Sequence, residues 1–242
     1  VRCLKSNDLL WDLTGSRSTL RKLYHNNAMM SEHYHSNRIK PVTDPREWEI
    51  LDAIPMEEPE AETNFEKLLM SRRTIREVSG KKVDNNFISR LLKFSVGITG
   101  STEKGYQLFS YPSPGATYAT TVFLSINLEK YNYVYRYNAY DHSLEKYLED
   151  PDHHIAEIIY DKKLAVFPIK LFFASDYQLI EKMYGEIAYR LLCLEMGHMA
   201  QNISLYSQER GYHSACIGGY NELRFKEMIG EQYDLHYVVV VG

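Results

Sequence analysis

The sequence predicts an α+β fold. Three observations lead there: helical and strand patterns interleave without strict βαβ alternation, the apolar content suits one large core, and the length makes a metal or disulfide staple unnecessary. The chain has 242 residues, 44% hydrophobic and 25% charged, which excludes global disorder. A formal net charge of −4 argues against a nucleic-acid binder held by phosphate contacts. No apolar run approaches the ~20 residues of a membrane span, and Tyr237 to Val241 reads as a buried strand. Three scattered cysteines, Cys3, Cys193 and Cys216, point to a reducing compartment. The start carries no charged-then-apolar leader, which fits a cytoplasmic protein, and its first residues, VRC, also fit a truncated start. Tyrosine is the outlier at 20 residues, many of them alternating as strands prefer.

The elements divide at residue 62. Residues 1–62 are expected to form an N-terminal extension or strap: a short helix over Ser16 to Met30, then a solvated stretch carrying Pro41, Pro45, Pro55 and Pro59. Residues 63–242 hold the main domain. Thr63 with Glu66 is a capping box that opens a helix through Phe65, Leu68 and Leu69. Asp84 caps a second helix with Phe87, Ile88, Leu91 and Leu92 on one face and Gly97 at its end. Thr120 to Leu128 reads as a strand, and Tyr131 to Tyr137 with Leu144 to Leu148 as a hairpin around Asp141-His142-Ser143. Asp150-Pro151 signals a helix start. Ala165 to Ala174 is a buried strand in which Pro168 implies a bulge or an edge. The longest helix runs from Glu186 to Arg210, apolar on more than one face, and Gly211 stops it. A short strand to Cys216-Ile217, a helix capped by Asn221 and a last strand from Leu235 to Val241 complete the chain.

Three short patterns suit chemistry. Ser71-Arg72-Arg73-Thr74-Ile75-Arg76 ends the first helix and leads into a strand; crowded guanidiniums repel unless anions separate them, so the run suits a phosphate. A solvated basic helix end is the plainer alternative. Tyr111-Pro112-Ser113-Pro114-Gly115-Ala116-Thr117-Tyr118 is a rigid loop before a strand, and Gly115 permits close approach to a flat ligand or simply a turn. Cys216-Ile217-Gly218-Gly219-Tyr220-Asn221 exposes backbone N–H groups at a strand-to-helix turn. No dinucleotide fingerprint occurs. Glu32-x-x-His35 and Glu195-x-x-His198 each match half of a di-iron motif, a weak signal, and Cys216 suits a buried small hydrophobe better than a nucleophile.

Taken in order, SRRTIR, FSVGITG, YPSPGATY, Tyr184-Gly185-Glu186 with Ala188-Tyr189-Arg190, Glu195 to Asn202, and CIGGY resemble the SagB-type oxidases of the nitroreductase-like flavoprotein superfamily. The resemblance covers about Asn64 to Gly242, with a looser match at Tyr24-His25-Asn26. It implies a nitroreductase-like fold, a mixed sheet flanked by helices in an intertwined homodimer with two FMN sites. Residues matching Arg72, Arg73, Thr74 and Arg76 would hold the FMN phosphate and pyrimidine edge. Those matching Pro112, Ser113, Pro114 and Gly115 would come from the partner subunit, and Ile217, Gly218 and Gly219 would pass near the flavin's reactive edge.

Members of that type oxidise thiazolines and oxazolines of ribosomally made peptides to thiazoles and oxazoles, beside a cyclodehydratase that forms the ring. The resemblance therefore implies a precursor peptide and a cyclodehydratase complex as partners. The reaction removes a proton and a hydride from neighbouring ring carbons, and a Lys-Tyr pair before the long helix has the base role. Here Tyr184 matches the Tyr, Met183 stands at the Lys position, and Lys182 lies one place earlier. Tyr184 and Lys182 are therefore the expected catalytic residues, Tyr184 as the base and Lys182 as the nearby cation it needs, provided the chain breaks around Lys182 to Gly185. The departure at Met183 keeps two alternatives open: a related flavin oxidoreductase on another small or peptide substrate, and a degenerate scaffold subunit of a peptide-modifying complex.

Overall fold

The computed structural model describes Tyr24 and residues 52–242. The expected helix over Ser16 to Met30, the Glu32-x-x-His35 pair and most of the proposed strap lie outside the described residues, Tyr24 apart. Helices α1 (Asn64–Ser71) and α2 (Asn85–Val96) come first, followed by a small hairpin, β1 (Ile98–Ser101) and β2 (Gln107–Phe109). A 3-10 turn at Pro114–Ala116 leads into β3 (Thr120–Ile126), β4 (Tyr133–Asn138) and β5 (Ser143–Glu149). A second 3-10 turn (His154–Ile158) and α3 (Lys162–Ala165) precede β6 (Ile169–Ser175). Then α4 (Tyr177–Tyr184), a third 3-10 turn (Gly185–Ile187), α5 (Ala188–Glu209), β7 (Ser214–Ile217), α6 (Glu222–Ile229) and β8 (Asp234–Val241) follow.

The main sheet has the order β5-β4-β3-β6-β8-β7. Each of its pairings is antiparallel, where the resemblance implied a mixed sheet. Both faces are covered, so its central strands read as unbroken apolar runs whose alternate residues enter different cores. Leu171, Phe173, Val239 and Val241 join Leu91, Leu192, Met196 and Met199 of α2 and α5 on one face. Phe172, Ala174, Val238 and Val240 meet Ile155, Ile158 and Phe225 on the other.

The helix caps follow the sequence closely. Thr63 Oγ1 accepts from Glu66 N at 3.2 Å; Glu66 Oε2 accepts from Thr63 N at 2.7 Å and Glu62 N at 2.8 Å, and these two amide bonds hold the Glu66 carboxyl below the usual range. Asp84 and Asn221 cap α2 and α6, and Gly211 stops the chain after α5 with φ 71°. Helix α5 buries Leu192, Met196, Met199 and Ile203, yet Leu194 stays exposed. Helix α1 buries none of its residues and leaves Phe65, Leu69 and Met70 exposed.

Three local expectations are corrected. Asp150-Pro151 opens a turn instead of a helix: His153 takes a left-handed conformation, and the Asp150 carboxylate accepts from His154 N and Ile155 N, so only a 3-10 turn follows. Pro168 lies at neither a bulge nor an edge. It sits one residue before β6, an interior strand, where its missing N–H costs no ladder bond and its carbonyl accepts from Asn127 N at 2.7 Å. The chain after the arginine cluster forms no strand; it runs beside β7 and spends single backbone bonds there.

Candidate functional site

The edge strand β7 gathers two of the three predicted motifs. Arg72 caps α1 with an extended conformation that turns the chain outward, and Ile75 N donates to Ser214 O at 3.1 Å, seating the arginine segment at the first residue of β7. At the far end of the same strand, Ile217 enters the glycine turn. Four residues of strand, roughly 10 Å, separate the two. The Arg73 guanidinium folds back on Met70 O and Arg72 O at 2.7 and 2.8 Å. Arg73, Thr74 and Arg76 are exposed and Arg72 is half-buried. Among the described residues no carboxylate pairs with the three arginines.

The glycine turn is fixed by its neighbours. Tyr160 N donates to Gly219 O, Ile159 bridges Tyr220, and Asn221 N donates to Ile158 O at 2.7 Å. Gly218 is exposed, and a Cβ built on it would point into open space. The turn thus offers a bare backbone surface at the end of β7.

The proline loop lies elsewhere on the sheet. Thr120, which follows it, pairs with Ser175, and Ser175 with Asp234, whereas Ile217 is level through Val238 and Phe172 with Phe123; β7 thus points its glycine turn towards the loop's end of the sheet but stops roughly 10 Å short of it along the strands. Across the sheet they are a further three strand spacings apart, about 14 Å. The loop is rigid: Ser113 Oγ accepts from Tyr118 N at 2.9 Å, and Gly115, Ala116 and Tyr118 all have positive φ. The Tyr184 hydroxyl lies directly against Gly115, in the space a Cβ would need. The chain therefore brings together Gly115 and Tyr184, which the sequence kept apart.

Lys182 behaves differently from Tyr184. Helix α4 runs through both, and the break falls at Tyr184–Gly185, where Gly185 has φ 56° and ψ −143°. Tyr184 is half-buried against the main core; Lys182 is exposed and set about 200° round the helix. Met183 is also exposed.

Glu195 holds the proline loop's exit. It is fully buried on α5, and its Oε1 accepts from Thr120 N at 3.0 Å and Thr120 Oγ1 at 2.6 Å. Its Oε2 has no hydrogen-bond partner among the described residues. Burial, then the charge of Glu195, pushes the Tyr111 phenol up. His198 is exposed, so Glu195 and His198 share no site, and the described residues hold no group of three or more His, Cys, Asp or Glu able to bind a metal. A carboxylate inside an apolar helix stretch was the signal for this role. Cys216 is half-buried, with Sγ 4.0 Å from Ser204 Oγ.

A nitroreductase family model matches residues 69–242. The chain belongs to the nitroreductase family. A protein of Methanocaldococcus jannaschii named as a nitroreductase is 27% identical over 172 residues, 69% of this chain and 85% of that one. A solved nitroreductase of Ralstonia eutropha is similar at TM-score 0.64 and 20% identity, covering 78% of this chain and 87% of its own. A chain of the E. coli microcin synthetase McbBCD complex, with truncated pro-MccB17 bound, reaches TM-score 0.70 at 18% identity, covering 100% and 98%. At those identities the two structures speak for the fold.

Membership of the nitroreductase family implies an oxidoreductase with a flavin cofactor. The residues present fit one. Three guanidiniums lacking described carboxylate partners suit a phosphate, and the open face of Gly218 leaves room for a flat ring at the other end of the same strand. No helix of the described residues is long and apolar enough to cross a membrane.

Proposed function

We propose that this chain is an FMN-dependent oxidase that converts thiazoline or oxazoline rings of a ribosomally made peptide to thiazoles or oxazoles. The observation that carries the reading is the placement of a basic segment and a bare glycine turn at the two ends of one edge strand, the span a phosphate-bearing flavin needs. The ordered motifs shared with SagB-type oxidases supply the peptide substrate, and the fold likeness to a chain of a peptide-modifying complex favours a cyclodehydratase partner. A cytoplasmic setting goes with both partners.

In this reading Arg72, Arg73, Thr74 and Arg76 hold the phosphate and the pyrimidine edge, while Ile217, Gly218 and Gly219 line the ring. Bound there, FMN supplies the two-electron acceptor. Tyr184 removes the proton from the substrate ring carbon, and the contact with Gly115 orients its hydroxyl. Pro112, Ser113, Pro114 and Gly115 serve the partner subunit's flavin. The three strand spacings between that loop and the glycine turn of its own chain favour this arrangement. So do the exposed Phe65, Met70, Leu194 and Leu223, apolar surface that a homodimer covers.

Two measurements test this. The purified protein should be yellow and release FMN on denaturation, and a thiazoline-bearing peptide should lose a pair of hydrogens per ring by mass spectrometry. Sedimentation should give a dimer at micromolar concentration; a folded, FMN-loaded monomer contradicts the shared site. The exposed Met183 at the family's lysine position favours a second reading, a related flavin oxidoreductase with another substrate. A yellow protein inert on azoline peptides would select it.

A further inference from the structure

Beside the proline loop lies a solvent-open cavity of about 290 Å³. Phe109, Tyr111, Tyr118, Tyr137 and Tyr140 supply its walls. Phe109 is the hub: it stacks on Tyr118 at 4.0 Å and meets Tyr111 and Tyr140 edge-on at 5.6 and 6.4 Å. Tyr111 and Tyr118 flank the loop that touches Tyr184, so one rigid segment contacts both the cavity and the proposed base.

The charged and amide groups of the lining are already committed. The Arg136 guanidinium pairs with Glu145 at 2.6 Å. Asn138 donates to Asp141 and Glu145 and accepts from Tyr140 N. The Tyr137 hydroxyl is bonded to His142 Nδ1 at 2.8 Å, and His142 Nε2 to Ser89 Oγ at 2.8 Å. Thr120 is spent on Glu195. Burial, then Lys93, holds His142 below its ordinary range, so no free positive charge sits there at neutral pH. What the cavity has left to offer is aromatic faces and edges with the hydroxyls of Thr121, Tyr111, Tyr118 and Tyr140, which together favour a neutral flat ring with hydrogen-bonding atoms over an ion.

We propose that this cavity is a subsite for an aromatic azole ring already present in the substrate peptide, next to the ring being oxidised. The proposal rests on the azoline-oxidase reading and deepens it: substrates carrying a finished ring beside the reacting one would bind tighter than single-ring substrates. The volume suits one or two small rings, below the usual range for drug-sized ligand sites. A flat ring could also come from the flavin, so the test separates the two sources.

The probe is a bithiazole amide, titrated into the FMN-loaded full chain and followed by saturation-transfer NMR and calorimetry. Tyr140→Ala, on the exposed rim, and Phe109→Leu, at the hub, should each weaken its binding about 5- to 10-fold, the scale of one lost aromatic contact, while FMN content stays unchanged. The same variants should raise KM for two-ring peptides and leave single-ring peptides unaffected. Binding that ignores both variants overturns the subsite, and Tyr140→Ala decides this even if Phe109→Leu misfolds. Loss of FMN from a folded variant also overturns it, assigning the cavity to the flavin. If the bithiazole binds as described but no azoline peptide is oxidised, the subsite stands and the oxidase reading falls.

Discussion

The two ends of the main sheet are built on different terms. Where β3 and β8 begin, the backbone is left-handed at Gly115, Ala116 and Tyr118, and Glu195 buries an oxygen with no partner among the described residues. Where β3 and β8 finish, the buried charges are matched: Lys170 donates to Phe167 O at 2.7 Å, and the Asp150 carboxylate accepts from two amides, bonds that offset the left-handed backbone of His153. Strained backbone and unmatched buried atoms persist where other demands override stability. The first end is therefore where changes should strike activity, and the second where they should strike folding. The arginine segment touches β7 at the second end, so the proposed flavin starts there and points towards the first.

The largest effect is expected at the strained end. Tyr184→Phe keeps the ring packed against the core and removes only the hydroxyl at Gly115. Turnover of an azoline peptide should fall by roughly 10²-fold or more, the usual scale for a general base, with FMN retained. Unchanged turnover would move the proton step to another group.

The matched end should answer in stability. Burial holds Lys170 at about 8, with Asp150 pulling the other way. An unfolded lysine titrates near ~10.4. Between those values the unfolded chain binds a proton that the native chain does not, so stability rises with pH from 8 towards 10, by up to about 3 kcal/mol. Below pH 8 the cost of burying the charge is fully present. Lys170→Met should flatten this slope in urea titrations; parallel slopes for both proteins would show that other groups set it.

The arginine segment comes next. Arg76→Ala removes a charge-assisted contact and should weaken FMN binding by roughly 1.5–3 kcal/mol, about 10- to 150-fold, by fluorescence titration. Since Arg76 is exposed and lacks a described ion-pair partner, the melting temperature of the FMN-free protein should hardly move.

How legible this was depended on range. The caps at Thr63, Asp84 and Asn221 and the apolar runs of β6 and β8 follow from spacings of two to four residues, and they stand as expected. The local failures came where a distant group decided. Asp150-Pro151 has a helix-start composition, but the left-handed His153 leaves a tighter turn. Pro168 looked like an edge because only the tertiary pairing shows that it precedes the ladder. The motifs of the candidate site were visible as residues, while the contact of Tyr184 with Gly115 and of Glu195 with Thr120 depends on helix-to-loop packing that no periodicity encodes.

Lys182 gives the smallest expected effect and the sharpest test of the strained end. A phenol is a poor base near neutral pH unless a cation stands close, so a lysine beside Tyr184 would matter greatly if it reached the hydroxyl. For that, the helix would have to break before Tyr184. It breaks at Tyr184–Gly185, after Lys182 has taken its helical position on the exposed face. A charge so placed acts through solvent, where ion-pair effects are worth about 0.2–1 kcal/mol. Lys182→Ala should therefore cost less than about 5-fold in turnover, against at least ~10²-fold for Tyr184→Phe. Matched losses in the two variants would instead mean that substrate or partner subunit redraws the chain around Lys182 to Gly185. In that case the pH–rate profile of Lys182→Ala should shift to higher pH, because a departed cation no longer favours the phenolate.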